Sequence, residues 1–182
     1  MNTQKQDIPQ LYPPAAGDKV ATIKTNYGDI KIKLFEEQVP GMTTNFIELA
    51  KEGKYNDVPF HRVVDEFMIQ TGDFTNQDGT GGHSYKGEDT TMPDEVVPGL
   101  KHLYGTVSMA KSFLPDSAGS QFFIVTREAG VPGLDGEYSI FGQVYEGMDV
   151  AEKIDALQVP NTEKPGQEVK MLEVTVETFG QQ

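Results

Sequence analysis

The sequence predicts a mainly β protein in which antiparallel strands close into a barrel, accompanied by two α-helices. Most apolar segments are short, alternate with polar residues and are separated by connections rich in glycine and aspartate, which is typical of strands joined by tight turns. Only two segments place apolar residues at helical spacing. Because a sheet of many strands has to protect its edges, closure into a barrel is the expected arrangement.

An irregular or extended arm is expected over residues 1–18, followed by one domain over residues 19–182. The arm is polar and carries Pro9, Pro13 and Pro14, which disfavour regular structure. Its first residues contain neither an apolar run nor a small-residue cleavage site, so no secretory signal is expected and a cytoplasmic location is predicted.

The domain is expected to begin with a hairpin of strands 20–25 and 29–35, because Asn26-Tyr27-Gly28 between them is a turn signal. A helix is predicted over residues 40–51, since Pro40 suits a first helical turn and Gly53 a helix end. The remaining predictions, in chain order, are strands at 60–64, 67–70, 106–110, 121–126 and 140–145, a helix at 148–157 and a last strand at 170–179.

Composition narrows the classes of function. A chain of 182 residues with no apolar run near the roughly 18 residues of a membrane span predicts one domain and no membrane partner. A net charge of −13 argues against binding to nucleic acid.

The absence of cysteine excludes disulfides and thiolate catalysis, and fits a reducing compartment. The spacing of His61, His83 and His102 fits no metal-site pattern, so neither a metal nor a cofactor is expected.

Two stretches carry the chemistry of the chain. Residues 60–74 place Arg62 and Gln70 among phenylalanine and methionine in strand-like sequence. Residues 119–125 likewise place Gln121 next to two phenylalanines. Together they indicate an apolar pocket with one fixed cation and a few amide groups. Such a pocket suits a reaction that makes and breaks no covalent bond.

Other kinds of site fit the sequence less well. A hydrolase needs an activated nucleophile, but Ser108, Ser120 and Ser139 lie in no G-x-S-x-G turn, and no carboxylate pair stands out as a catalytic dyad. The loop Gly79-Thr80-Gly81-Gly82 lacks the Gly-Lys-Ser/Thr ending of a phosphate-binding loop, so it predicts a tight turn instead.

The two stretches resemble the cyclophilin family of peptidyl-prolyl isomerases, and the resemblance extends from about residue 20 to residue 179. It implies a closed eight-stranded antiparallel β-barrel capped by two α-helices, with the peptide site on the outer surface, and a bacterial-type member of the family. The matching segments are Phe60-His61-Arg62-Val63, Phe67-Met68-Ile69-Gln70, Gly72-Asp73-Phe74, Gly79-Thr80-Gly81-Gly82, Ser108-Met109-Ala110, Gly119-Ser120-Gln121-Phe122-Phe123 and Leu134-Asp135-Gly136.

The resemblance also implies roles for single residues. Arg62, Gln70 and Phe67 would be catalytic, with Arg62 donating to the proline nitrogen. The substrate-binding residues would be Met68, Gly79, Ala110, Lys111, Gln121, Phe123, Leu134 and Tyr138. His61, on the strand face opposite Arg62, is expected to be a packed, hydrogen-bonded structural residue.

The chain departs from well-known eukaryotic members at several positions. Gly133 stands where they carry a tryptophan that donates to the inhibitor cyclosporin, so binding of cyclosporin-type inhibitors is expected to be weak. Tyr138 stands where they carry histidine, and Lys111 where asparagine is usual. The segment 112–118 is one residue longer than the usual pattern, which would alter the groove beside the residue before proline.

The function that the resemblance implies is peptidyl-prolyl cis–trans isomerisation assisting protein folding, by a monomer that acts on proline-containing peptides and unfolded proteins. A proline-peptide-binding chaperone module with little turnover is the alternative. Arg62, Gln70 and Phe123 favour the enzyme, whereas Gly133 and Lys111 leave room for the binding module.

Overall fold

A nine-stranded antiparallel sheet curls around the core of the protein, as described over residues 8–181 by a computed structural model. The strands are β1 (Lys19–Thr25), β2 (Gly28–Leu34), β3 (Val58–Pro59), β4 (Arg62–Val64), β5 (Met68–Thr71), β6 (Thr106–Met109), β7 (Phe122–Val125), β8 (Ile140–Glu146) and β9 (Lys170–Thr178). The helices are α1 (Pro40–Lys51) and α2 (Met148–Asp155), and short 3-10 turns lie at Pro9–Leu11 and Pro132–Leu134. The predicted mainly β fold with two helices is confirmed.

The sheet follows the order β3-β9-β1-β2-β8-β6-β7-β5-β4, and its two outermost strands are successive in the chain. Strand β3 pairs with β9 and strand β4 with β5, so the segment changes partner at Phe60 and His61. The Phe60 amide donates to the Val169 carbonyl oxygen at 2.9 Å. The structure thus has nine strands where eight were expected, because β3, which lies just before the predicted strand 60–64, forms an additional short strand by pairing with β9.

The alternation of side chains along β5 and β7 produces two apolar clusters. Phe122 points into the barrel, where its ring lies 5.4 Å from that of Phe46 and 5.5 Å from that of Tyr55. Its neighbour Phe123 points to the opposite face and packs with Met68 in a second, smaller cluster outside the barrel. The large cluster holds the fold together, and the small one is available for function.

Part of the N-terminal arm is fixed to the barrel by Gln10. Its buried side-chain amide donates to the Lys101 carbonyl oxygen at 2.7 Å and to Thr106 Oγ1 at 2.9 Å, and accepts from the Lys101 amide at 2.9 Å. The irregular arm predicted over 1–18 is described only from residue 8, and residues 1–7 lie outside the described part. Between residues 8 and 181, neither helix has the length and apolar character needed to cross a bilayer.

Candidate active site

A pocket of about 150 Å³ opens on the outer face of the barrel, over the small apolar cluster. The pocket brings together nine of the residues predicted for the site. They are Arg62, Phe67, Met68, Gln70, Ala110, Lys111, Phe123, Leu134 and Tyr138.

Strand register explains why residues distant in sequence meet in this pocket. Arg62 on β4 lies opposite Gln70 on β5, and Gln70 lies opposite Phe123 on β7. Directly paired residues of an antiparallel sheet project on the same side, so one row across three strands carries a cation, an amide and an aromatic ring. The order of the strands therefore builds the site from side chains that alternate with core residues.

Apolar side chains form the wall of the pocket opposite the Arg62 guanidinium. Met68 and Phe123 are almost fully buried, with 1% and 4% of their surface exposed. The Phe123 and Tyr138 rings meet edge to face at 5.9 Å, and Phe67 and Leu134 pack against the same cluster. This wall excludes water from one side of the pocket and fits a small aliphatic ring.

A chain of hydrogen bonds fixes the polar side of the site. Gln121 Nε2 donates to the carbonyl oxygens of Gly79 at 3.0 Å and Gly81 at 2.8 Å, which turns its Oε1 towards Gln70. Gln70 Nε2 donates to that oxygen at 2.9 Å, and Gln70 Oε1 accepts from Arg62 Nη1 at 3.2 Å. Each amide has its orientation determined by the next, so Gln70 presents an oxygen to the guanidinium.

A second hollow of about 340 Å³ adjoins the first and shares Gln70, Ala110 and Lys111 with it. Gly79 and Gln121 line this second hollow. Together with the nine residues of the pocket, they complete the eleven predicted site residues. The two adjoining hollows offer a peptide contacts on both sides of Lys111.

The loop that carries Gly79 is organised by Asp73, a fully buried residue that sequence analysis placed in a motif without assigning it a role. Its carboxylate accepts hydrogen bonds from five backbone amides, those of Thr75, Asn76, Asp78, Gly79 and Gly81. Burial alone would raise the pKa of Asp73, but these donors outweigh it and lower the pKa to about 2. The signal in the sequence was an aspartate just before a glycine-rich loop.

Lys111 forms the boundary between the two hollows. Its mostly buried Nζ lies 2.7 Å from Asp94 Oδ2 and 5.8 Å from the centre of the Tyr138 ring. The ammonium group thus binds a carboxylate and an aromatic face together. Sequence analysis included Lys111 and Tyr138 in the site but missed Asp94, which lies in a segment without regular structure.

Glu163 binds the guanidinium of Arg62, which sequence analysis did not foresee. Arg62 Nε lies 2.6 Å from Glu163 Oε2, and Arg62 Nη2 lies 3.3 Å from Glu163 Oε1. The hydrogen bond from Arg62 lowers the pKa of Glu163 below its ordinary value. Because the two residues are 101 positions apart and Glu163 lies in a loop without apolar periodicity, no local pattern could have paired them.

His102 supports the pocket from behind. Its ring stacks on Phe123 with 6.0 Å between ring centres, Nδ1 lies 3.0 Å from Asp135 Oδ1, and Nε2 lies 3.1 Å from Ser108 Oγ. Burial lowers the pKa of His102, although Asp135 opposes this. These contacts match the order of a hydrolase triad, but Ser108 is fully buried beneath Phe123 and no substrate can reach it.

His61 is packed as expected, but the hydrogen bonding of its ring is incomplete. It was expected to be hydrogen-bonded, yet its buried Nδ1 has no hydrogen-bond partner among the described residues. The ring packs against Gly79 so closely that a Cβ there would lie 2.9 Å from it.

Within residues 8–181, no cluster of three or more His, Cys, Asp or Glu side chains is arranged to hold a metal ion.

The sequence of this chain matches known proteins over most of its length. Residues 20–176 match the family described as cyclophilin type peptidyl-prolyl cis-trans isomerase/CLD. The chain is 42% identical over 153 residues to peptidyl-prolyl cis-trans isomerase-like 1 of Aspergillus fumigatus, covering 84% of this chain and 91% of that protein. It is also 42% identical over 165 residues to peptidyl-prolyl cis-trans isomerase-like 2 of Rhizopus delemar, where the match covers 90% of this chain but only 30% of the longer protein.

The fold has solved counterparts as well. A crystal structure of a Cryptosporidium parvum cyclophilin type peptidyl-prolyl cis-trans isomerase superimposes with a TM-score of 0.81 at 35% identity, covering 88% of this chain and 98% of that one. The same protein crystallised in the presence of the dipeptide Ala-Pro gives a TM-score of 0.80, covering 87% of this chain and 99% of that one. The fold, the composition of the pocket and these matches together establish that the chain belongs to the cyclophilin-type peptidyl-prolyl cis–trans isomerases.

Proposed function

We propose that the chain rotates X-Pro peptide bonds in the pocket over the small apolar cluster, with Arg62 as the main catalytic group. The main support for this proposal is the row of Arg62, Gln70 and Phe123 across β4, β5 and β7. In this row the fixed Arg62 guanidinium lies opposite an apolar wall of the same pocket. A proline ring held against that wall would place its nitrogen beside the guanidinium.

The chemistry follows from the resonance of the peptide bond, which gives rotation a barrier of roughly 18–20 kcal/mol. Rotation removes the resonance and leaves a localised lone pair on the proline nitrogen. An N–H of Arg62 directed at that lone pair stabilises the twisted state more than either planar state, as catalysis requires. Lowering the barrier by about 7 kcal/mol would accelerate exchange on the order of 10⁵-fold.

The remaining predicted residues would bind the peptide. Phe67, Met68, Phe123 and Leu134 would hold the pyrrolidine ring, and the removal of water there would strengthen the hydrogen bond from Arg62. Gln121 and the Gly79 loop would bind the backbone of the residues that precede proline. Substrates would then be proline-containing segments of unfolded proteins, and the physiological role assistance to folding.

A cytoplasmic monomer is the proposed state of the protein. The cysteine-free composition suits a reducing compartment. The outermost strands β3 and β4 are joined through Phe60 and His61, so within residues 8–181 the curled sheet offers little free edge for pairing with a second copy.

The second candidate function is a proline-peptide-binding module with little turnover. The Lys111–Asp94 ion pair favours it, because it fixes Lys111 where the two hollows meet and a fixed side chain there would slow release of a bound peptide. NMR exchange measurements on a short Ala-Pro peptide separate the two candidates. Exchange enhanced by catalytic amounts of protein supports the enzyme, and binding with exchange no faster than in buffer leaves only the module.

Turnover is expected to vary little with pH between about 7 and 9. A guanidinium stays protonated in this range. The lowered pKa of Glu163 keeps it ionised, and the lowered pKa of His102 keeps it neutral. Asp155, which accepts from the Glu66 amide and whose burial raises its pKa to about 6, is also mostly ionised in this range. A bell-shaped profile of kcat/KM within this range would contradict catalysis without an acid–base step.

Cyclosporin is expected to inhibit the wild-type protein weakly, and Gly133→Trp is expected to strengthen inhibition. Gly133 offers no indole N–H, and an unpaired acceptor on the ligand costs roughly 1–3 kcal/mol, or about 5- to 150-fold in affinity. A Cβ built on Gly133 meets nothing within 4 Å, so the fold leaves room for the larger side chain.

Titration of both proteins with cyclosporin in the isomerase assay measures this effect. Gly133→Ala is the matched control, because it adds a methyl group without an indole and should leave inhibition weak. Equal inhibition constants for wild type and Gly133→Trp would show that position 133 does not determine inhibitor affinity.

A further inference from the structure

The geometry points to Glu163 as a positioning residue of this isomerase: we propose that its carboxylate holds the Arg62 guanidinium in the orientation that presents two N–H groups to the proline pocket. This inference rests on the proposed function. It adds a residue that lies outside both hollows and acts on the substrate only through Arg62.

The hydrogen bonds of Arg62 divide its donors between support and catalysis. Glu163 binds Nε and Nη2 from one side at 2.6 and 3.3 Å, and Gln70 binds Nη1 at 3.2 Å. A guanidinium has five N–H donors, so three are occupied, and one on each terminal nitrogen remains. The side-on pair fixes the plane of the guanidinium, because two parallel contacts to one carboxylate allow little rotation.

Glu163 is itself fixed by the loop of residues 156–169. Its carbonyl oxygen accepts from the Val63 amide at 2.9 Å, directly beside Arg62 on β4. The Val159 amide donates to the Lys164 carbonyl oxygen at 2.8 Å, which closes the loop around the position of Glu163. The main chain at Glu163 is therefore fixed beside β4, and its side chain reaches Arg62 from a defined position.

Arg62 needs such a partner because its side chain is only half-buried, with 37% of its surface exposed. A long side chain in this position samples several rotamers in water unless more than one contact holds it. Gln70 alone provides a single bond of 3.2 Å. Since an exposed ion pair contributes little to stability, its effect should appear in the geometry of catalysis and not in the fold.

Glu163→Gln tests the inference. We expect kcat on a short Ala-Pro peptide to fall about fivefold with KM nearly unchanged, because the substrate still binds but the donor is less well oriented. Glu163→Asp keeps the charge with a shorter reach and should recover part of the loss. Glu168→Gln is the matched control, since Glu168 lies in the same loop and forms an exposed 2.8 Å ion pair with Lys170. It should leave kcat unchanged.

A double-mutant cycle distinguishes positioning from a general structural effect. In an Arg62→Ala background, Glu163→Gln should cause no further loss of kcat, because the group on which Glu163 acts is gone. Wild-type kcat in Glu163→Gln, or the same fivefold loss in both backgrounds, would overturn the role assigned to Glu163 alone. No acceleration by the wild-type protein would overturn the proposed function and, with it, this inference.

Discussion

Replacing Arg62 with alanine is expected to lower kcat/KM by about 10²- to 10³-fold, the usual effect of removing one donor that acts on the transition state. Arg62 lies on the outer face of β4 and forms its side-chain contacts with Gln70 and Glu163, outside the core. The free energy of unfolding should therefore change by no more than about 1 kcal/mol. NMR exchange on an Ala-Pro peptide and thermal unfolding of the same samples measure the two effects.

Arg62→Lys should be almost as inactive as Arg62→Ala. A lysine ammonium is a single point charge and cannot bind Gln70, Glu163 and the proline nitrogen in one plane. Arg127, the other arginine of the chain, is exposed and lies outside both hollows, so Arg127→Ala is the matched control and should remain fully active. A folded Arg62→Ala protein with near-wild-type turnover would contradict the proposed mechanism.

The parts of the fold that depend on local periodicity could be predicted from the sequence. Helix α1 spans the predicted residues, and strands β1 and β2 differ from prediction only at their ends. Alternation along β5 and β7 also separates the core residue Phe122 from the pocket residue Phe123. The number of strands could not be predicted, because β3 has only two residues, too few to show alternation, and exists through its pairing with β9.

The grouping of the site residues followed from motifs, whereas their supporting contacts did not. Arg62, Gln70 and Phe123 lie in strand segments, and strand pairing brings such segments into register. Glu163 and Asp94 lie in connecting loops, whose sequences carry no period that would place them beside a strand. Long-range contacts from loops are therefore what the structure adds to the sequence.

Asp73→Ala is expected to have the largest effect on stability among the residues around the site, lowering the free energy of unfolding by about 3 kcal/mol or more. Its buried carboxylate is the common acceptor for the five backbone amides of the loop, and a hydrogen bond to a charged group contributes about 1.5–3 kcal/mol. Turnover should fall as well, because Gln121 is oriented by the carbonyl oxygens of Gly79 and Gly81. Denaturant unfolding and the isomerase assay measure the two losses.

The charge of Asp73 should also make stability dependent on pH. Its pKa is about 2 in the folded protein against 3.8 for an ordinary aspartate, so the folded state holds the proton less tightly than the unfolded state. The resulting stabilisation, roughly 2.4 kcal/mol at most, is complete above about pH 5 and is mostly lost as the pH falls to 2. Asp73→Asn keeps the shape of the side chain but cannot ionise, so its deficit relative to wild type should be largest at pH 5 and shrink towards pH 2. A deficit that stays constant across this range would show that hydrogen-bond geometry, and not the charge of Asp73, holds the loop.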